Sequence, residues 1–153
     1  MSETFGLDRR QFIAGSGGAI LIASTPLLAL ADQEDVDRAR SELFGDRPVQ
    51  EGRVTVKLPP IAENGHSVPM TVSVESPMTS EDYVRRVAVF SPRNPLPNIA
   101  QFQFTPRSGK AEVATRIRMS GTQPIQAVAE MSDGSLWSGS METVVTLAAC
   151  VVL

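Results

Sequence analysis

Ala111-Glu112-Val113-Ala114-Thr115-Arg116-Ile117-Arg118-Met119 is the stretch that decides the fold. Val113, Thr115, Ile117 and Met119 share one face, and Ala114, Arg116 and Arg118 share the other. That period of two is what a half-buried antiparallel strand requires. Short runs of the same kind fill the chain on both sides, separated by Pro, Gly, Asn and Ser. They are Arg53 to Leu58, Val68 to Glu75, Tyr83 to Phe90, Ile99 to Phe104 and Ile125 to Met131. Glu63-Asn64-Gly65-His66 reads as the turn between the first two. Leu136 to Ser140 and Thr143 to Ala148 flank a final break near Met141. Seven or so strands at this spacing predict an all-β fold, an immunoglobulin-like antiparallel β-sandwich. The cysteine and tryptophan landmarks of antibody domains are absent, so the likeness is one of architecture.

Upstream of the strands, Val36, Ala39, Arg40, Leu43 and Phe44 recur at helical spacing, and Gly45 and Pro48 close the segment. A short N-terminal helix over 34–44 is expected. Before it, Arg9-Arg10-Gln11-Phe12-Ile13 fits a twin-arginine export pattern, followed by an uncharged stretch to Leu30 and the A-x-A site Ala29-Leu30-Ala31. Glycines and a proline interrupt that stretch and acidic residues follow it, which disfavours a membrane anchor. The expected organisation is a cleaved signal peptide over 1–31, a helix and linker over 32–52, the sandwich over 53–147 and a flexible arm over 148–153. Export by this route points to a bacterial periplasm and to a chain carried out already folded, around a cofactor or bound to a partner.

Composition narrows the function. The net charge of −3 mixes both signs, so there is no basic footprint for nucleic acid. After Leu30 no apolar run is long enough to span a bilayer. His66 is the only histidine and lies in a predicted loop with no ligand at metal spacing, and no hydrolase nucleophile has another imidazole to use. Glu81, Asp82, Glu130 and Asp133 read as ordinary surface carboxylates, and Asp133-Gly134-Ser135 as a hairpin turn. No catalytic residue, metal site or cofactor is expected.

What remains is Cys150, the single cysteine, within Ala148-Ala149-Cys150-Val151-Val152-Leu153. An unpaired thiol in a mobile tail can enter another protein's cleft. The same valines are strand formers, so a buried, inert thiol finishing the last strand stays open, as does an intermolecular disulfide. The tail also fits prenylation and lipobox patterns, which an export signal and a position far from it exclude. Nothing in the adjacent sequence offers the thiol a cation that would favour its thiolate.

The chain resembles the SoxY family, the sulfur-carrier subunits of the bacterial thiosulfate-oxidising system. The resemblance runs from about Arg38 to Cys150. It rests on Val54-Thr55-Val56-Lys57-Leu58-Pro59, on Ile61-Ala62-Glu63-Asn64-Gly65 through Val68-Pro69, on Asn94-Pro95-Leu96-Pro97 leading to Phe102 and Phe104, and on Met131-Ser132-Asp133-Gly134 with Trp137 and Ser138-Gly139. It implies a covalent carrier rather than an enzyme, with Cys150 holding the sulfur compound. It also implies a heterodimer with a SoxZ-like subunit, and docking to a SoxXA-like haem enzyme, a SoxB-like manganese hydrolase and a sulfane dehydrogenase.

The departure lies at the carrying motif. Members typically end in Gly-Gly-Cys-Gly-Gly, whereas Ala148, Ala149, Val151 and Val152 flank Cys150 here. Alanine, and β-branched valine more so, narrow the backbone freedom that glycine supplies. The alternative to a carrier is a non-catalytic periplasmic binding or structural subunit with an inert thiol. Phe90, Leu96, Phe102 and Phe104 are candidates for a partner surface or for the core.

Overall fold

The computed structural model describes residues 33–149. The expected signal peptide and Cys150, Val151 and Val152 lie outside the described residues. Helix α1 (Gln33–Phe44) precedes nine strands, β1 (Val49–Glu51), β2 (Val54–Lys57), β3 (Ile61–Asn64), β4 (Val68–Val74), β5 (Val84–Phe90), β6 (Asn98–Gln103), β7 (Ala111–Ile117), β8 (Gln123–Met131) and β9 (Leu136–Leu147). The larger sheet runs β1-β9-β8-β5-β6, with β3 also on β9, and faces a smaller sheet β2-β4-β7. Pairing is antiparallel except where β1 and β3 add to β9 in parallel.

The deciding stretch folds as its period demands. Ala111 and Ile117 are buried while Glu112, Ala114, Arg116 and Arg118 face out, and β7 pairs along its whole length with β4. Between the sheets lie Val56, Met70, Val72, Val87, Val89, Ile125, Ala127 and Met131. Val87 to Phe90 and Ala127 to Glu130 do not alternate, because both faces of β5 and β8 are covered. Their outer face carries Ala88, Phe90, Val128 and Leu136, onto which α1 sets Val36 and Phe44. Burying each of those two helical side chains is worth about 1.5–3 kcal/mol. Gly45 ends α1 with its N–H on the Ser41 carbonyl at 2.8 Å.

Three expectations need correction. There is no break near Met141: β9 is continuous over twelve residues because β8 pairs with it from Gln123↔Thr143 to Glu130↔Leu136. Gly139 within it serves close approach, since a Cβ there would strike the Val54 carbonyl. The segment 61–64 is a strand on β9 rather than part of a tight hairpin, and only the Asn64 side chain, accepting the His66 N–H at 2.8 Å, makes the local turn.

Glu130 is no ordinary surface carboxylate. It is 9% exposed and gripped on both sides, by Arg47 Nη2 at 2.8 Å on Oε1 and by Arg86 Nη2 at 2.8 Å on Oε2. The same guanidiniums donate to the last carbonyls of α1, Arg47 Nε to Phe44 at 2.7 Å and Arg86 Nη2 to Leu43 at 3.0 Å. Arg86 also stacks on the Phe44 ring, 4.7 Å from its centroid. The arrangement satisfies helix carbonyls that have no partner within the helix and pins α1 to the sheet. Burial pushes the Glu130 pKa up, but the hydrogen bonds from Arg47 and Arg86 outweigh it and hold the carboxyl below the ordinary glutamate range.

A depressed folded-state pKa means stability that is fully present above the ordinary glutamate value and is lost as pH falls through the lower, folded one. Glu130→Gln should therefore cost about 2 kcal/mol near neutrality, and less as the pH drops below the ordinary glutamate range. Urea midpoints of both proteins across that range check this; an equal deficit at every pH would refute it.

Candidate functional site

Of the residues that the sequence singles out around the thiol, Ala148 and Ala149 are described, and they place the root of the arm. Ala148 is exposed, but Ala149 is buried at 5% exposure and tied by its N–H to the Met119 carbonyl at 3.0 Å. The described part of the arm is thus anchored, one residue before Cys150. Its alanine methyl belongs to a buried residue, a contribution that glycine could not make.

A three-strand backbone clasp makes the anchor. Gly65 donates its N–H to the Leu147 carbonyl at 2.7 Å, the Gly65 carbonyl accepts the Met119 N–H at 2.8 Å, and the Met119 carbonyl accepts Ala149. Three segments far apart in sequence are laced around the end of β9. No side chain fits between them, since a Cβ at Gly65 would strike the Met119 carbonyl and come within 2.8 Å of the Ala149 nitrogen. The glycine is required by space.

A buried polar network braces the clasp from behind. Asn94 donates Nδ2 to the Arg118 carbonyl at 2.8 Å, while its Oδ1 accepts the Ser120 N–H and Gln123 Nε2, both at 3.1 Å. Gln123 Oε1 in turn accepts the Ser91 hydroxyl at 2.7 Å and the Arg93 N–H at 2.9 Å. Asn94 and Gln123 therefore fix residues 118–120 on both sides of the carbonyl that holds Ala149. From the other direction, Thr146 Oγ1 donates to the Glu63 carbonyl at 2.8 Å, and the Val145 N–H donates to Thr122 Oγ1 at 2.9 Å.

Sequence reasoning missed this site because each of its bonds joins residues remote in the chain. The one local signal was Gly65 beside Asn64, which reads as a turn. The other candidates stand apart. His66 is exposed beside the clasp, Glu81 is exposed, and the exposed Asp133 is held below the ordinary carboxylate range by hydrogen bonds from Ser135. Among the described residues no group of three or more His, Cys, Asp or Glu could hold a metal ion, and no helix is long and apolar enough to cross a membrane. A cleft of about 350 Å³ between β1, β2 and β9, lined by Glu51, Thr55, Gln126, Ser138 and Ser140, does not include the clasp. Phe90 is a core residue, Phe102 and Phe104 are half-buried, and Leu96 is 74% exposed.

Comparison with known proteins supplies the context for a one-residue step from anchor to thiol. The model of the sulfur oxidation protein SoxY family matches residues 40–150, ending on Cys150 itself. The chain belongs to the SoxY family. A solved structure of the sulfur carrier protein SoxY from Chlorobium limicola f thiosulfatophilum is similar to it at 35% identity and a TM-score of 0.64, over 74% of this chain and 98% of that one. Superoxide reductase (neelaredoxin) from Ignicoccus hospitalis is similar at a TM-score of 0.54 and 17% identity, over 61% of this chain and 80% of that one. A putative superoxide reductase from Thermotoga maritima gives 0.52 and 19%, over 67% and 89%. At such identities these two share the sandwich fold alone. Comparison with curated proteins finds no match. Membership in SoxY places the chain in the sulfur-oxidation system.

Gly65→Ala should open the clasp of this SoxY-family chain, lowering stability by about 1–3 kcal/mol and speeding the labelling of Cys150 by a bulky maleimide in the native protein. Unchanged stability and labelling would show that the clasp does not hold the root of the arm.

Proposed function

We propose that this protein is a periplasmic sulfur carrier that holds thiosulfate-derived intermediates covalently on Cys150 and presents them to the enzymes of thiosulfate oxidation. The observation that carries the reading is a family match running through the whole sandwich and ending on the cysteine. The clasp supports it, because it leaves the fold intact up to Ala149 and puts Cys150 directly after the anchor. The twin-arginine pattern at Arg9-Arg10 supports export, and joint export with a signal-less SoxZ-like subunit would explain that route.

The chemistry requires little of the carrier. Its thiol is joined to the outer sulfur of thiosulfate, releasing one proton and two electrons to a SoxXA-like haem enzyme. Water then cleaves the sulfur–sulfonate bond at a SoxB-like manganese hydrolase, giving sulfate, a proton and a persulfide on Cys150. A sulfane dehydrogenase oxidises the remaining sulfur. At each stage the carrier must expose a thiolate or its adduct and be narrow enough to enter the partner's site. With Ala149 anchored, the root of the arm travels with the sandwich when it docks.

The same anchoring favours a second reading, in which β9 is finished by a buried, inert thiol and the protein is a structural or binding subunit. Intact mass of the exported protein from thiosulfate-grown cells separates them. Reductant-labile sulfur or thiosulfonate adducts on the Cys150 peptide are expected, and Cys150→Ser should abolish thiosulfate-dependent respiration in a deletion strain. A uniformly unmodified thiol and normal respiration would establish the structural reading. For the location, replacing Arg9 and Arg10 together by lysine should leave the protein unprocessed in the cytosol, and continued export would contradict the twin-arginine route.

A further inference from the structure

Helix α1 covers only half of the face it packs on. Its Val36 and Phe44 sit with Ala88, Phe90, Val128 and Leu136 on the outer side of the large sheet. Along β9 every second residue from Leu136 points the same way, which brings Ser138, Ser140, Glu142, Val144 and Thr146 onto that side. On β8 it continues from Val128 through Gln126 to Pro124, which stands opposite Glu142 in the ladder. β3 carries it to the edge of the sheet, since Ile61 lies in register with Val144. No described element covers this second half: Pro124, Glu63, Glu142 and Thr146 are exposed, and Ile61 and Val144 are 62% and 46% exposed.

Two features of the uncovered half suit a protein partner. The described residues expose four large apolar side chains, Ile61, Leu96, Val144 and Leu147, and three of these stand on β3 and the end of β9, with Ile61 and Val144 side by side. Scattered apolar residues are ordinary on a surface, whereas a cluster on an open sheet face marks a place that something covers. Where the helix begins, a pocket of about 150 Å³ opens on the same face, lined by Val36, Phe90, Pro92, Pro124, Gln126 and Ser140. Val36 and Phe90 belong to the core beneath α1, so the pocket reaches the buried apolar layer.

The charges on this face set the chemistry of what covers it. Glu142 stands between Ser140, which lines the pocket, and Val144, while Glu63 follows Ile61 on β3. The outward residues of β3, and of β9 from Ser140 to Thr146, include no lysine, arginine or histidine. The complement is an apolar centre with basic side chains at its margin. A second copy of this chain meeting the face across a two-fold axis would bring the same carboxylates with it, like charge against like.

We propose that this uncovered half of the outer face is the seat of the SoxZ-like subunit, which sets an apolar side chain into the pocket beside Pro124 and basic side chains against Glu63 and Glu142. The inference rests on the reading of the chain as one half of a heterodimer. A subunit carried across the membrane together with this one has to stay bound on the way, and lasting interfaces bury an apolar centre within a polar rim.

The test uses the exported protein purified with its second subunit, whose identity is established by intact mass, and measures the dissociation constant of the heterodimer by sedimentation on dilution. Val144→Lys and Ile61→Lys, which replace the apolar centre by charge of the partner's own sign, should each weaken it about thirtyfold. Glu142→Lys should weaken it about tenfold at low salt and progressively less as salt is raised. Val144→Ile, which keeps the apolar contact, and Ala114→Lys, outward on β7 of the smaller sheet, should leave it unchanged. All these positions are solvent-facing, and equal urea midpoints of the free chains keep folding out of the comparison. A constant that moves no more in Val144→Lys and Ile61→Lys than in Ala114→Lys overturns the proposal, as does loss of a homodimer or of an enzyme contact while the heterodimer holds. The two failures are distinct: an intact heterodimer indifferent to these variants removes the seat alone, and a chain that purifies with no second subunit removes the heterodimer reading and the seat together.

Discussion

The end of β9 is the constraint on which the rest depends. One strand of twelve consecutive residues gives one edge, from Leu136 to Thr143, to β8, and divides the other among β1, the close approach of the Val54 carbonyl, and β3. Closing that strand leaves the backbone groups of Leu147 and Ala149 to be satisfied where the sheet runs out, and buried groups of that kind carry a penalty when unpaired. Gly65 and Met119 provide the partners. The position of Ala149, directly before Cys150, is therefore set by hydrogen bonding at the rim of the sandwich.

That rim is made stiff by unusual means for a loop-rich end of a sandwich. Asn94, Gln123 and Ser91 are buried polar side chains whose hydrogen bonds run mostly to one another and to the backbone of 93, 118 and 120. Fully satisfied networks of this type cannot relax without exposing several groups at once. At the opposite face, Glu130 plays a comparable part for α1, converting the unpaired carbonyls of a helix terminus and two guanidiniums into one knot. The helix covers the outer face of β5 and β8, so the sheet from which β9 is held is itself a closed, two-sided core.

For a carrier, a base held in the fold as far as Ala149 has a definite consequence. Residues whose backbone is already held in the fold lose no further ordering entropy when the protein docks against a partner. The alanines that flank Cys150, in place of the glycines usual in the family, belong to this picture: Ala149 is part of the fold.

How much of this was legible in the sequence varies with the range of the interaction. Val113 through Met119 announced β7, and Val36 to Phe44 announced α1, because periodicity is a local record of which face is buried. Cys150 stood out because it is the single thiol. Glu130 was misread, since its burial depends on Arg47 and Arg86, 83 and 44 residues away. The residues near Met141 read as a break, and only the β8 ladder shows them as strand. The sequence by itself determined the alternation, the helix, the export pattern and the position of the thiol, all properties of neighbouring residues. The tertiary structure alone decided where the arm is anchored and which carboxylate is buried, because each is a contact between segments whose encounter no local pattern encodes.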